Sequence, residues 1–319
     1  MKRLRIPGSR LEVSEICLGT VGLGATIDLP SSFTMLDRYL ALGGNFLDSA
    51  NVYSDWIPGE KSRSEKTIGR WLKARNNRDQ IVLATKGAHP RLESMQLSRL
   101  APEDIVHDLD QSLASLQTDW IDLYWLHRDD PSRPVPEILE TLNLQVRAGK
   151  IRYFGASNWT FERLKLAQDH ARDQGMQGFV ADQVLWNVAV VDPEQIADKT
   201  TTTMNAALEQ YHHSTGIAAI PYSAQANGLF QRMLEGSLEQ MNPELRRPYP
   251  LVPNLERFQN IQRVMRDSNL SLTQVVLGYL LSQPFTTIPI IGPRTLAQLE
   301  DSLGAAGVRL SSDQLEVLG

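Results

Sequence analysis

Short apolar runs recur along the chain with helical patterns between them, and this alternation limits the available folds more than any other feature. The runs stand at 16–18, 46–47, 81–84, 121–126, 151–156, 179–180, 217–220 and 287–291. Between them apolar residues return at helical spacing, as in Ile105, Leu109, Leu113 and Leu116 after Pro102, and Ile138, Leu139, Leu142 and Val146 after Pro136. Proline is tolerated in a first helical turn because the N–H it lacks has no partner there. Ser32 ahead of 35–42, with Gly43 and Gly44 as a stop, marks another helix, and Ser271 with Gln274 forms a capping box ahead of 275–281. Strands that alternate with helices pair parallel through helical crossovers. Eight such units fit a closed α/β barrel, the (β/α)8 TIM barrel, better than an open doubly wound sheet.

Two segments stand outside this rhythm. Residues 2–6 and 11–13, on either side of Pro7-Gly8-Ser9, predict an N-terminal β-hairpin placed to close the bottom of the barrel. Residues 227–269 carry Pro243, Pro248, Pro250 and Pro253 and predict a long excursion after the seventh strand, with a helix near 255–267. No Gly- or Ser-rich linker divides the 319 residues, so one domain over 1–319 is expected. The formal charge of -5 offers no basic surface for nucleic acid. Cys17 is the only cysteine, MKRLRIPGSR lacks the apolar core of a signal peptide, and no run approaches the length of a membrane span. A cytoplasmic protein with no membrane and no nucleic-acid partner is expected.

What stands at the C-terminal end of each run carries the functional argument, because barrel enzymes build their sites there. In order these residues are Thr20, Asp48, Lys86, His127, Ser157 with Asn158, Gln183, Tyr222 with Ser223, and 292–294. A purely structural barrel needs no such polar set. Taken singly, Asp48 reads as a cap or turn residue, and Lys86 and His127 as solvated rim residues. Together with Tyr53, they form a constellation that chance does not readily supply.

The motifs NFLDSANVY (45–53), LATKG (83–87), DLYWLHRDD (122–130), YFGASNW (153–159) and PIIGPRTLAQLED (289–301) resemble those of the aldo-keto reductases, over essentially the whole chain. The resemblance implies an eight-stranded barrel that binds NADPH in an extended pose without a Rossmann domain. The segment Gly19-Thr20-Val21-Gly22 is no GxGxxG fingerprint. Carbonyl reduction needs a hydride, a proton and polarisation of the carbonyl oxygen. Tyr53 is expected to be the acid, with Lys86 as a neighbouring cation lowering its pKa toward the working range. Asp48 would pair with Lys86, and His127 would orient the substrate carbonyl.

For the cofactor, the resemblance places Thr20 and Asp48 at the rim and Ser157, Asn158 and Gln183 on the nicotinamide carboxamide, with Tyr222 stacked on the ring. Ser223, Gln225 and Leu229 would follow the pyrophosphate, with Gly292 beside them. Arg294 and Gln298 match positions that hold the adenosine 2′-phosphate, which favours NADPH over NADH. Ser302 stands where many relatives have an adenine-contacting asparagine. Gln298 has a second reading, since Thr295 and Gln298 also have capping-box spacing.

Trp56 follows Tyr53 and is expected to wall the substrate pocket, whereas Trp159 and Trp186 either line it or pack against helices; Trp71 reads as core. His89, His107 and His170 read as surface residues, His212 and His213 as meeting a helix dipole, and no metal is expected. Cys17 is expected to be buried and inert. The charged rim residues Arg128, Asp129, Asp130 and Arg133 suit a sugar-like aldehyde or form a solvated surface. A small-molecule carbonyl is therefore the expected substrate; the alternative is an NADPH-binding sensor similar to potassium-channel β subunits.

Overall fold

The computed structural model describes all residues, Met1–Gly319. Strands β1 (Arg3–Arg5) and β2 (Glu12–Ser14) form the antiparallel hairpin. The main sheet follows with β3 (Cys17–Gly19), β4 (Phe46–Asp48), β5 (Val82–Gly87), β6 (Ile121–Leu126), β7 (Ile151–Ser157), β8 (Ala181–Gln183), β9 (Ala218–Ala219) and β10 (Ile290–Ile291). All its neighbours are parallel, and β10 pairs with β3. Between β9 and β10 the ring is completed by a parallel bridge of Ala219 to Thr287 and by the amides of Ile288 and Ile290, which donate to Ala219 O and Pro221 O. The result is the expected (β/α)8 barrel.

Strand parity sorts the side chains. Residues two apart point to the same face, so Cys17, Phe46, Ala84, Leu123, Trp125, Ala181, Ala218, Ile288 and Ile290 meet inside the barrel as one apolar cluster. Ile6, Leu11 and Val13 of the hairpin join that cluster and plug its lower end, as expected. Gly155 makes this packing possible, because a Cβ there would stand 2.4 Å from Cζ3 of the fully buried Trp125. Continuing the same parity upward places Asp48, Lys86, His127, Ser157, Gln183, Tyr222 and Gly292 above the plug, at the C-terminal mouth. Residues of opposite parity, among them Leu47, Tyr124 and Phe154, belong to the larger cluster shared with the helices.

The connecting helices are α1 (Leu29–Ala41), α2 (Arg63–Arg75), α3 (Pro102–Leu116), α4 (Val135–Arg147), α5 (Phe161–Asp173) and α6 (Ala206–Thr215). The excursion after β9 holds α7 (Leu229–Glu235), α8 (Pro243–Arg246) and α9 (Leu251–Ser268), before α10 (Leu272–Leu281) returns the chain to β10. The helices α11 (Leu296–Leu303) and α12 (Ser312–Leu318) end the chain. No helix is long and apolar enough to cross a membrane.

Several boundaries differ from expectation. The α1 helix starts at Leu29, because Asp28 caps it by accepting from Ser31 N. Ser32 is therefore buried inside the first turn, donating to Ile27 O and accepting from Gly24 N. The sixth barrel strand is Ala181–Gln183 rather than 179–180, and Phe179 packs instead on Phe154 and Trp159. The excursion helix extends to Leu251–Ser268, with Pro253 accommodated in its first turn. The capping box of Ser271 and Gln274 is present with both bonds formed.

Candidate active site

At the mouth, β4 and β5 present Asp48 and Lys86 side by side. The Lys86 ammonium has three protons and three acceptors: Asp48 Oδ2 at 2.5 Å, Ser49 O at 2.8 Å and Tyr53 Oη at 2.8 Å. Both charges are almost wholly buried. Burial alone would lower the Lys86 pKa, but Asp48 and Tyr53 outweigh it and the net direction is upward, so the ammonium is retained. The second carboxylate oxygen of Asp48 accepts from Gln183 Nε2 at 3.2 Å, which ties β4 to β8 across the mouth.

Tyr53 stands on the loop after β4, where a tight succession of turns brings it back over the barrel: its amide donates to Ala50 O, and those of Asp55 and Ile57 to Val52 O and Ser54 O. Ser54 has a φ of 67° and anchors the loop by donating to Val21 O at 2.6 Å. The expected lowering of the Tyr53 pKa is not found. Burial raises it, Asp48 adds to the rise, and the attraction of Lys86 offsets these only in part. A phenolate in this position would lose hydration before gaining the cation, so the resting hydroxyl keeps its proton.

His127 follows β6, its ring centroid 6.0 Å from that of Tyr53. Burial holds its pKa well below the ordinary value, and Arg128, His89 and Lys86 push the same way, so the ring is neutral. Nδ1 is buried without a partner. Sealing off a lone pair costs less than sealing off an N–H, so the neutral ring carries its proton on Nε2. The site therefore presents two neutral donors, Tyr53 Oη and His127 Nε2, backed by one fixed cation. That arrangement can place a carbonyl oxygen and deliver a proton to it as charge develops there.

The remaining expected residues form an arc from β7 to α11. Ser157 donates to Gln183 O at 2.9 Å, and no protein group bonds the side-chain oxygen of Gln183. Asn158, with a φ of 61°, is more deeply engaged than expected. Its Nδ2 donates to His127 O and Ser157 Oγ, while Oδ1 accepts from Thr202 N at 3.1 Å and Tyr222 Oη at 2.8 Å. Every hydrogen-bonding position of its side chain is thus filled by protein.

Beyond β9, Ser223, Ala226 and Asn227 have φ of 53°, 49° and 54°. Left-handed backbone at non-glycine residues costs roughly 1 kcal/mol or more each and gathers at ligand-binding turns. Gln225 accepts weakly from Ser302 at 3.4 Å, which brings this turn against α11. Gly292 faces open space where a Cβ would stand. Arg294 is exposed, and its guanidinium makes no ion pair or hydrogen bond. Gln298 does cap its helix, but one residue earlier than a capping box would: Oε1 accepts from Arg294 N at 2.8 Å, while Thr295 accepts from Gln298 N.

Some expectations are overturned. Thr20 is sealed, donating to Asp48 O and accepting from Ser64, so it braces β3 against β4 and offers a ligand no free hydroxyl. The Leu229 side chain is buried with Phe230 in the excursion's own core, so only its backbone is left for a ligand. Of the two readings left open for Trp159 and Trp186, packing is the one found: Trp159 packs edge-on to Phe179, and Trp186 stacks on Phe285 at 5.9 Å. Trp56, by contrast, is 53% exposed on the mouth loop. The charged rim residues are all engaged: Arg128 with Asp198 and Thr200, Asp129 with Arg163, Asp130 with Ser132, and Arg133 with Glu137. They give no free charge for a sugar.

Sequence reasoning missed three features. His89 is half-buried, its ring 4.7 Å from that of His127. The segment around Asp198–Thr202 lies over the mouth, held by Arg128 and Asn158. His212 is fully buried against Asp182, not at a solvated helix end. The position of His89 three residues past Lys86 was the available signal for the first. For the third it was a carboxylate at outward parity inside a buried strand.

Comparison with known proteins agrees with this geometry. Residues 15–318 match the model of the Aldo/keto reductase family. The chain is 31% identical to Uncharacterized oxidoreductase YrpG of Bacillus subtilis (strain 168), over 97% of this chain and 92% of that protein. It is 29% identical to Norsolorinic acid reductase B of Dothistroma septosporum, over 97% of this chain and 78% of that protein. It is 30% identical to Aldo-keto reductase ausK of Aspergillus calidoustus, over 99% and 80% respectively. With a barrel closed by eight parallel strands, a buried Asp48–Lys86 pair bonded to Tyr53 at its mouth, and a family match over nearly its whole length, this chain belongs to the aldo/keto reductase family.

Proposed function

We propose that the protein reduces an aldehyde or ketone to the alcohol with NADPH, and that Asp48, Tyr53, Lys86 and His127 carry out the proton chemistry. The observation that carries this reading is the saturated Lys86 ammonium, whose third bond ends on the Tyr53 hydroxyl. A bound reduced nicotinamide would supply the hydride. Tyr53 gives its proton to the carbonyl oxygen, and Lys86, already in place and already charged, stabilises the phenolate left behind. No reorganisation of the cation is needed at that moment, which is where a preorganised site gains over water. His127, neutral, donates through Nε2 and orients the carbonyl. Asp48 keeps Lys86 charged and fixed.

The side chains along the arc fit an extended dinucleotide in part. Gln183 has an unbonded carbonyl oxygen suited to a carboxamide N–H, and the strained turn at Ser223–Asn227 suits a pyrophosphate. The free Arg294 guanidinium beside the start of α11 suits a 2′-phosphate, which supports NADPH over NADH. Asn158 and Tyr222 fit less directly, because each already bonds the other and Asn158 also holds Thr202. We assign Asn158 to positioning that rim, with cofactor contact requiring it to exchange a partner.

The test is loss of NADPH absorbance with a panel of aldehydes including 4-nitrobenzaldehyde, methylglyoxal and glyceraldehyde, comparing wild type with Tyr53→Phe. Removing the acid should lower kcat by about two to four orders of magnitude while NADPH binding, read by fluorescence, is retained. Tight NADPH binding without turnover of any aldehyde would overturn the reductase reading.

A further inference from the structure

Beside the two donors of the mouth stands an acceptor that the reaction itself does not use. The chain leaves β5 through Ala88, whose φ of 60° turns it sharply so that the next side chain, His89, lies edge-on to His127 with ring centroids 4.7 Å apart. His89 Nδ1 is 2.6 Å from Pro90 O. A carbonyl oxygen can only accept, so Nδ1 carries the proton. In the neutral ring that leaves Nε2 as a lone pair, and no protein group bonds it or seals it off. Burial and the neighbouring Arg128 guanidinium both disfavour a second proton on this ring. The peptide behind it is held by Arg99, which donates to His89 O at 3.3 Å and pairs with Asp108 at 2.6 Å, so the ring's position is braced from below.

An unbonded ring acceptor thus stands on the residue packed against His127, within one ring's width of the donors for a carbonyl oxygen. A hydroxyl on the carbon next to the carbonyl can match this pattern: with its oxygen beside the carbonyl oxygen, and that oxygen accepting from the two donors, its freely rotating proton can turn outward to an acceptor. We propose that His89 is a specificity-determining residue whose Nε2 accepts a hydrogen bond from that hydroxyl, so that the site favours α-hydroxy aldehydes and ketones over analogues with a methyl group in its place. This rests on the carbonyl-reductase reading above. It places the polyol character of the substrate on His89 and not on the charged rim residues, which are consumed by their own partners. An apolar group at the same point would leave the imidazole lone pair unpaired without filling its place.

The experiment compares kcat/KM for 2-hydroxypropanal and 2-methylpropanal, which differ by one hydroxyl against one methyl, in wild type, His89→Phe and His89→Gln. Because each variant is judged by the ratio of the two substrates, aldehyde hydration cancels between proteins. A neutral hydrogen bond of ordinary strength predicts that His89→Phe lowers the hydroxy-to-methyl ratio about 3- to 10-fold. His89→Gln, which keeps an acceptor oxygen, should restore part of the ratio. The proposal is overturned if both substrates lose activity in the same proportion, which would make His89 only a prop for His127. It is equally overturned if the ratio does not move. In either case continued turnover of 4-nitrobenzaldehyde shows that the reductase reading survives; loss of all turnover in the wild type itself would remove both.

Discussion

Two buried ion pairs sit on the barrel strands of this protein, and they have opposite uses. Asp48 and Lys86 lie at inward parity on β4 and β5, while Asp182 lies at outward parity on β8 and pairs with His212 of α6 at 3.2 Å. Both pairs are almost wholly removed from water. His212 also bonds Ile217 O through Nδ1. With Asp182 ionised both partners are acceptors, and the ring satisfies them as the imidazolium; burial raises the Asp182 pKa, and the contact with His212 opposes that rise. Burial alone would lower the His212 pKa, but Asp182 and Ile217 O raise it overall. The outward pair joins a strand to its helix through one carboxylate oxygen, the other being buried without a partner, and reaches no group at the mouth. The inward pair ends on the Tyr53 hydroxyl and is open to the mouth. The same chemistry, shifted by one residue along a strand, thus fastens a strand to its helix in one place and, in the other, ends at the mouth on the hydroxyl we propose as the proton donor. A third buried carboxylate, Glu65 of α2, sharpens the contrast, because it has no cation at all: Thr85 donates to it at 2.6 Å, and burial raises its pKa to about 7.

The largest effect is expected at the inward pair. Lys86→Met should destabilise the fold by ~3–5 kcal/mol, since Asp48 is left charged and buried, and should also lower kcat at least about 100-fold. Urea unfolding and steady-state rates measure the two separately. Asp182→Ala should bring a similar loss of stability, ~3–5 kcal/mol, yet leave kcat of the folded protein within about twofold because neither residue reaches the mouth. If its kcat fell with its stability at a temperature where the variant is folded, the division between fastener and site would be wrong.

Glu65→Gln tests the carboxylate without a cation. The folded pKa is raised above the ordinary 4.5, so the stability associated with the protonated form is full below that value and is lost as pH rises through about 7. The substitution should therefore stabilise the protein by ~1–3 kcal/mol at about pH 8 and have little effect at about pH 5. Thermal unfolding at the two values reads this directly, and an equal gain at both would mean that charge is not the cause. The smallest effect is expected at Trp56. Its exposed ring makes Trp56→Ala cost less than ~0.5 kcal/mol of stability, with KM for aromatic aldehydes raised a few-fold and kcat unchanged; a fall in kcat instead would mean that the loop also positions Tyr53.

The sequence by itself determined the barrel and the inward set. Alternation of short apolar runs with helical patterns is local information, and strand parity is local too, so Asp48, Lys86, His127 and Gln183 could be placed at one mouth before any contact was known. The hairpin plug and the capping box at Ser271 were legible for the same reason. The tertiary structure alone decided what each group was bonded to. Asn158 meets Thr202 and Tyr222 across 44 and 64 residues, and Gln183 meets Asp48 across 135. Such partners are chosen by barrel closure, not by spacing. Closure also turned Thr20 into a brace, sent Trp159 and Trp186 into the core, and brought His89 beside His127. It reversed the expected direction of the Tyr53 pKa as well, because a neighbouring cation can be inferred from a motif, whereas the desolvation that outweighs it depends on everything packed around the ring.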